Sequence, residues 1–452
     1  MQRVTVHDAV YLVASREQFG ILTAYAFDES AVGTETIVEW LADRARTLPT
    51  LQMRMVRPVA WLGDAFWSQC PDFDAADHVR VAHADTFDAL LPALHEILHR
   101  PFALDRPLWS IHVFRGVRGV GPFDTPSTVV AVKAHHSMTD GRGLTEICRT
   151  LFSAARGAPA RPELPLSRRT VTVRAVAELP LRPLLAAYDV ARLLVAVRRM
   201  RREHGGVDHL PPVEFTDRPD DRRSSTRIGT VFVSMTRLRS YARTVGSVTT
   251  NDVVLAVIGD TVAAELGTAA TRVVAAVPVA VAGLPDARNR VTQIGVDLAT
   301  GDGLDVAERA RRIHRGVIDG RERARTDEMA AVLASIPRMP PFVYGALARL
   351  TGALNTRRGS SATSRTVVSS VPKGPGDGWT LVDSPVRANF GCLLRQDPNA
   401  TNHSVTSIRD VLAVNVAVDT TVVDLESYLD ALRRGFDDLV PAVSEAARPA
   451  TR

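Results

Sequence analysis

The chain has 452 residues, 45% of them apolar, which is enough to bury one large core and more naturally two. Its net charge of +5 comes mainly from arginine, and no aromatic residues interleave with a basic stripe, which argues against nucleic acid as a partner. Cys70, Cys148 and Cys392 are odd in number and far apart, so neither a disulfide framework nor a metal cluster is expected, and a reducing, cytoplasmic setting fits.

The N-terminal stretch MQRVTVHDAVYLVASREQFG lacks an uninterrupted apolar core after a basic start, so no signal peptide is expected. No run reaches the roughly 18–20 apolar residues that cross a bilayer. The best candidate, from Val273 to Leu284, is too short and contains Pro278. A soluble protein follows, or one that touches membranes only peripherally.

Residues 1–160 alternate strand-like and helical patterns and form the first predicted lobe. Within it, LHEILH places His95, Glu96 and His99 at the HExxH spacing of a zinc-binding helix. Pro101 ends that helix at once and no third ligand follows, so the histidines read as the polar side of a helix packed through Leu91, Leu94, Ile97 and Leu98. No metal is expected.

Further on, TVVAVKA (Thr128–Ala134) is a β-branched, compact run that predicts a buried strand. Leu144, Ile147, Cys148, Leu151 and Phe152 then fall on one face of a predicted helix. Between them lies HHSMTDG: His135, His136, Asp140 and Gly141 on a short connector that packed elements hold from both sides. With 12 histidines, an adjacent pair arises by chance about 0.3 times; requiring the acid and the glycine at their spacing lowers this to roughly two in a thousand. Bland readings exist for each residue. Asp140 could cap the following helix, Gly141 could supply an unusual backbone angle, and one histidine could be a bonded core residue.

A Pro- and Arg-rich joint follows, spanning residues 161–227. It contains a predicted helix from about Pro183 to Glu203, stopped by Gly205 and Gly206, with Arg198, Arg199, Arg201 and Arg202 at its end. That helix reads either as a solvated linker or as a basic amphipathic surface resting on anionic lipid. The polar stretch TDRPDDRRSSTR closes the joint. Residues 228–452 alternate again and form the second lobe: GTVFVSM and RVVAAVPVAV read as strands, NDVVLAVIGDTVAAEL as a helix.

The chain has no GxSxG elbow, no GxxxxGK[ST] loop, no GxGxxG fingerprint and no CxxC, so no nucleotide or redox cofactor is expected. HHSMTDG resembles the HHxxxDG motif of the CoA-dependent acyltransferase superfamily, which includes peptide-synthetase condensation domains. Three further segments resemble the bacterial wax ester synthase/diacylglycerol acyltransferase family: Phe66–Arg80, Arg100–Gly116 and Thr249–Leu266. Pro107-Leu108-Trp109 matches the family's PLW motif and Asn251-Asp252 its ND motif; HDAVYLV and VVSSVPKGP are weaker matches. The resemblance runs from about Asp8 to Asp419, with the joint unmatched.

The resemblance implies an α/β (α+β) fold of two chloramphenicol-acetyltransferase-like lobes, each a mixed sheet flanked by helices, with a tunnel between them. It implies an O-acyltransferase that moves an acyl group from acyl-CoA, as co-substrate, to an alcohol or diacylglycerol, without metal or acyl-enzyme. His136 would be the general base, with His135 orienting it or shaping the pocket. Asp140 would brace the loop through an arginine, and Gly141 would keep the entrance open. The PLW and ND segments would serve as support, by packing and helix capping, or contact substrate. Two departures fall in the second lobe. The family's SNVPGP reads SSVPKGP, with Ser370 for asparagine and Lys373 inserted, and its PVSLR-like segment reads PVAVAG (Pro278–Gly283). These changes leave room for an acyltransferase of specialised metabolism with another acceptor or a carrier-protein donor, or for a non-catalytic relative.

Overall fold

The computed structural model describes residues 2–14, 19–153, 164–204, 225–267, 273–281, 287–301, 303–334, 364–395 and 399–439. The first half contains β1 (Gln2–Arg3), a helix at Val6–Ala14, β2 (Gly20–Asp28), a helix at Thr34–Ala45, β3 (Met53–Val56), β4 (Phe66–Gln69) and β5 (Val79–Ala82). A helix at Phe87–His99, β6 (Trp109–Val117), β7 (Ser127–His135) and a helix at Gly141–Phe152 complete it. Two helices, Arg168–Glu178 and Arg182–His204, follow.

The second half opens with β8 (Thr226–Ser234) and helices at Met235–Val245 and Thr250–Glu265. Next come β9 (Val273–Ala280), β10 (Val291–Asp297) and helices at Val306–Ala324 and Asp327–Ala334. It ends with β11 (Ser364–Gly374), β12 (Thr380–Leu381), β13 (Ser384–Cys392), β14 (Thr401–Ile408), β15 (Val411–Asp419) and a helix at Leu425–Asp437.

Two six-stranded mixed sheets organise these elements. One has the order β10-β9-β11-β14-β15-β8 and belongs wholly to the second half. The other, β12-β13-β2-β7-β6-β5, takes β12 and β13 from residues 380–392, so the chain crosses back from the second half to finish the first sheet. A three-stranded sheet, β1-β4-β3, lies beside them.

The crossing strand also ties the sheets together. β13 pairs antiparallel with β2, and Asn389 donates to Thr23 Oγ1 and to Ala24 O, each at 2.8 Å. On its other side Gly391 N donates to Asn415 Oδ1 of β15 at 3.0 Å, and Thr406 Oγ1 of β14 donates to Asn389 O. One buried cluster contains Leu22, Phe390, Ile228 and Ala413, so the two sheets share a core as well as having cores of their own. Burying such side chains stabilises by about 1.5–3 kcal/mol each, which makes the lobes one folded body.

The joint is more structured than its composition predicts. Ser167, inside the Pro- and Arg-rich run, caps Arg168–Glu178 by accepting from Thr170 N at 3.1 Å. That helix buries Val171 against Phe66 and Val56 of the small sheet, and Ala175 beside Gly63. Arg182 then bonds Asp64 at 3.0 Å and Glu178 at 3.2 Å, anchoring the long helix where it starts. Residues 154–163, Gly205, Gly206, the polar stretch to Ser224 and Gly283 lie outside the described residues.

Candidate active site

All nine residues of β7 are buried, and the strand ends at His135. Asp140 caps the next helix, its Oδ1 accepting from Gly143 N at 2.8 Å, while Leu144, Ile147, Cys148, Leu151 and Phe152 bury the inner face. The loop between is fixed by backbone bonds: His135 N to Leu108 O at 2.9 Å, His136 N to Phe19 O at 2.7 Å, and Met138 N to His135 O at 2.9 Å. The two histidines then part. His135 is fully buried, with Nδ1 at 2.8 Å from Ser137 Oγ and its ring edge-on to Phe102.

His136 is half-buried and lies at the junction of the two halves. Its ring stacks on Tyr11 at 4.1 Å and 10°, with Phe19 edge-on at 5.6 Å. Nδ1 lies 2.7 Å from Asn289 Oδ1. The Asn289 amide nitrogen donates to Asp8 Oδ1 at 2.8 Å and to His136 O at 2.7 Å. Asp8 also accepts from Thr5 Oγ1 (2.7 Å), Asn289 N (2.9 Å) and Arg288 N (3.1 Å). Burial lowers the His136 pKa below 6.5; the bonds to Asn289 and to its own backbone and the charges of Asp140 and Asp8 oppose that shift. The imidazole is therefore neutral near pH 7.

Asp140 does meet an arginine, but through the main chain: Oδ2 accepts from Arg290 N at 3.2 Å. Gly141 has no left-handed backbone angle; its role is room. A Cβ there would stand 3.1 Å from Val371 Cγ2, so glycine admits β11 of the second sheet against the motif helix.

The supporting motifs resolve into contacts. Leu108 O holds His135 N; Trp109 donates Nε1 to Leu51 O at 2.7 Å and stacks on His78 at 4.6 Å. Asp252 completes a capping box with Thr249 and takes His314 Nδ1 at 2.7 Å, while Asn251 Oδ1 accepts from Ser370. Lys373 sits in a β11 irregularity and reaches Thr145 Oγ1 of the motif helix at 3.1 Å. The two changes within SSVPKGP thus lie beside the ND segment, at Ser370, and beside the motif helix, at Lys373. In the HExxH helix, His99 Nδ1 bonds its own turn at His95 O, and no set of three metal-ligating side chains occurs among the described residues.

Sequence reasoning missed Asn289, Asp8 and Tyr11. Asp8 carries a legible signal of another kind, since Thr5 and Asp8 form a Thr-x-x-Asp cap at the Val6–Ala14 helix. An asparagine between two arginines carries none.

Two helix-flanked sheets joined by a crossing strand, with a histidine loop at their junction, define a chloramphenicol-acetyltransferase-like fold. The chain belongs to the wax ester synthase/diacylglycerol acyltransferase family, an O-acyltransferase family whose catalytic domain matches residues 16–254 and whose C-terminal domain matches residues 287–440. Relatives named diacylglycerol O-acyltransferase in two strains of Mycobacterium tuberculosis are each 26% identical over 434 residues, covering 90% of this chain and 89% of theirs. Among solved structures, the wax ester synthase/diacylglycerol acyltransferase of Marinobacter aquaeolei VT8 superposes with a TM-score of 0.63 at 18% identity, over 97% of this chain and 98% of that one. The starter condensation domain of rhizomide synthetase, in complex with C8-CoA, gives 0.56 at 13% identity, over 97% and 93%.

Proposed function

We propose that the chain esterifies the hydroxyl of an alcohol or diacylglycerol with the acyl group of acyl-CoA, using His136 as general base. The observation that carries this is the neutral, half-buried imidazole whose Nδ1 is engaged by Asn289 Oδ1 at 2.7 Å, which leaves Nε2 as the ring nitrogen for an incoming hydroxyl. Nε2 takes the hydroxyl proton as that oxygen attacks the thioester carbonyl. The C–S bond breaks, and the imidazolium returns its proton to the departing thiolate, giving ester and free CoA. The thioester is already activated, so no acyl-enzyme is required.

A second reading concerns the acceptor. Lys373 places a buried ammonium on Thr145, one helical turn past Gly141, and Ser370 engages Asn251. These changes beside the site favour an acceptor more polar than a plain fatty alcohol.

The acceptor would arrive from a lipid surface. Of the 14 exposed large hydrophobic side chains among the described residues, 10 lie between Leu164 and Val195. Residues 164–204 carry nine arginines against three acids, a charge suited to anionic lipid. No helix among the described residues is long and apolar enough to cross a membrane.

Purified protein and a His136→Ala variant, given long- and short-chain acyl-CoAs with fatty alcohol, diacylglycerol or polar alcohols, test the reading by free thiol and by ester mass. Ester from the wild type, lost in the variant, supports it. Equal ester from both removes His136 as base. Co-sedimentation with anionic but not neutral vesicles tests the surface.

A further inference from the structure

We propose that Asn289 and Asp8 are positioning residues that lock His136 in the one tautomer able to act as a base; the proposal rests on His136 being the base of acyl transfer. The Asn289 amide has no freedom of orientation. Its nitrogen faces the Asp8 carboxylate at 2.8 Å and the His136 carbonyl at 2.7 Å, and both groups accept only. The nitrogen must therefore donate to them, which turns Oδ1, an acceptor, toward His136 Nδ1 at 2.7 Å. Nδ1 must then carry the ring proton, leaving the lone pair on Nε2. The other tautomer would set two acceptors face to face at that distance and forfeit the bond.

Each partner is held in turn. Thr5 Oγ1 and the backbone N–H groups of Arg288 and Asn289 bind Asp8, and the Tyr11 ring confines the imidazole plane. Burial drives the Tyr11 phenol far above its ordinary range, so it stacks as a neutral ring.

The interposed amide matters chemically. A carboxylate directly on Nδ1 would fix the same tautomer but would also stabilise imidazolium and raise its pKa. The neutral amide passes on the orientation and keeps the negative charge one residue away, in keeping with an imidazole whose pKa is lowered. The lock is also assembled across the molecule. Asp8 and His136 come from the first half, whereas Asn289 leads into β10 of the second sheet, so the base is complete only with both halves docked.

The test combines nitrogen NMR of protein labelled at histidine, without substrate, with steady-state kinetics. The His136 signals are assigned by comparison with His136→Gln. Wild type should show a protonated Nδ1 and a bare Nε2. Asn289→Ala should mix the tautomers and lower kcat on the order of 10²-fold, with KM within about twofold. Asn289→Leu, which keeps a side chain of similar size should the alanine variant fold poorly, should mix the tautomers and lower kcat in the same way. A bare Nδ1 in the wild type overturns the lock, as does an Asn289→Ala variant with unchanged tautomer and kcat within about threefold. The spectra need no turnover, so an inert wild type with a protonated Nδ1 counts against the acyltransferase reading alone.

Discussion

Replacing Lys373 by methionine should make the protein more stable at neutral pH. The chain contains only two lysines, Lys133 and Lys373, and both are buried. Lys373 is 4% exposed, forms no ion pair among the described residues, and has Thr145 Oγ1 as its hydrogen-bond partner. Burial pushes its pKa from 10.5 down to about 8, so holding the ammonium there at neutral pH costs about 3 kcal/mol relative to the unfolded chain. Methionine fills a similar length without charge, and Thr145 keeps its bond to Gly141 O. Subtracting about 1 kcal/mol for the lost bond leaves a net gain of about 2 kcal/mol.

The pH dependence separates this account from simple repacking. Between about pH 8 and 10.5 the unfolded lysine still holds its proton while the folded one has lost it, so wild-type stability rises with pH. The methionine variant lacks that rise. Its advantage should be full below about pH 8 and gone near pH 10.5, as measured by urea unfolding at both ends. A variant less stable at neutral pH, or an advantage independent of pH, would refute the reasoning.

Burial holds the His136 pKa below 6.5, so kcat/KM should be level above that value and fall on acidification through a lower one; a limb centred above 6.5 would contradict the buried base. Asp252→Ala removes the capping box and the His314 partner together and should lower stability by about 3 kcal/mol, while folded protein at low temperature keeps most of its turnover, as paired melting and rate measurements would show. Gly141→Ala should cost about 1–3 kcal/mol by pressing on Val371, and Val371→Ala in the same chain should recover most of it in thermal melts.

What the sequence made legible was local. The strand before HHSMTDG and the helix after it follow from period and residue type, and residues 127–135 and 141–152 realise both. Asp140 as a cap and Asp252 as part of a capping box were readable because capping acts within three residues. The Asn289–His136 bond spans 153 positions and the Asp8–Asn289 bond spans 281, and no periodicity connects such sites. The strand at Ser384–Cys392 alternates like any other, and nothing in it says which sheet it will join. The helix at Arg168–Glu178 was obscured because its apolar face is only Val171 and Ala175 wide, within a run of proline and arginine.

The crossing of β13 into the first sheet also sets a timetable. Until residues 384–392 leave the ribosome, β2 is an open edge with its row of N–H and C=O groups unpaired. The first half, which carries His136, therefore waits for more than four-fifths of the chain before its own sheet can close. An open edge of this kind can pair with other chains, so the nascent first half is exposed to mispairing until β13 arrives. Cutting the gene between the halves would divide one sheet between two products, and each fragment would need the other to be soluble.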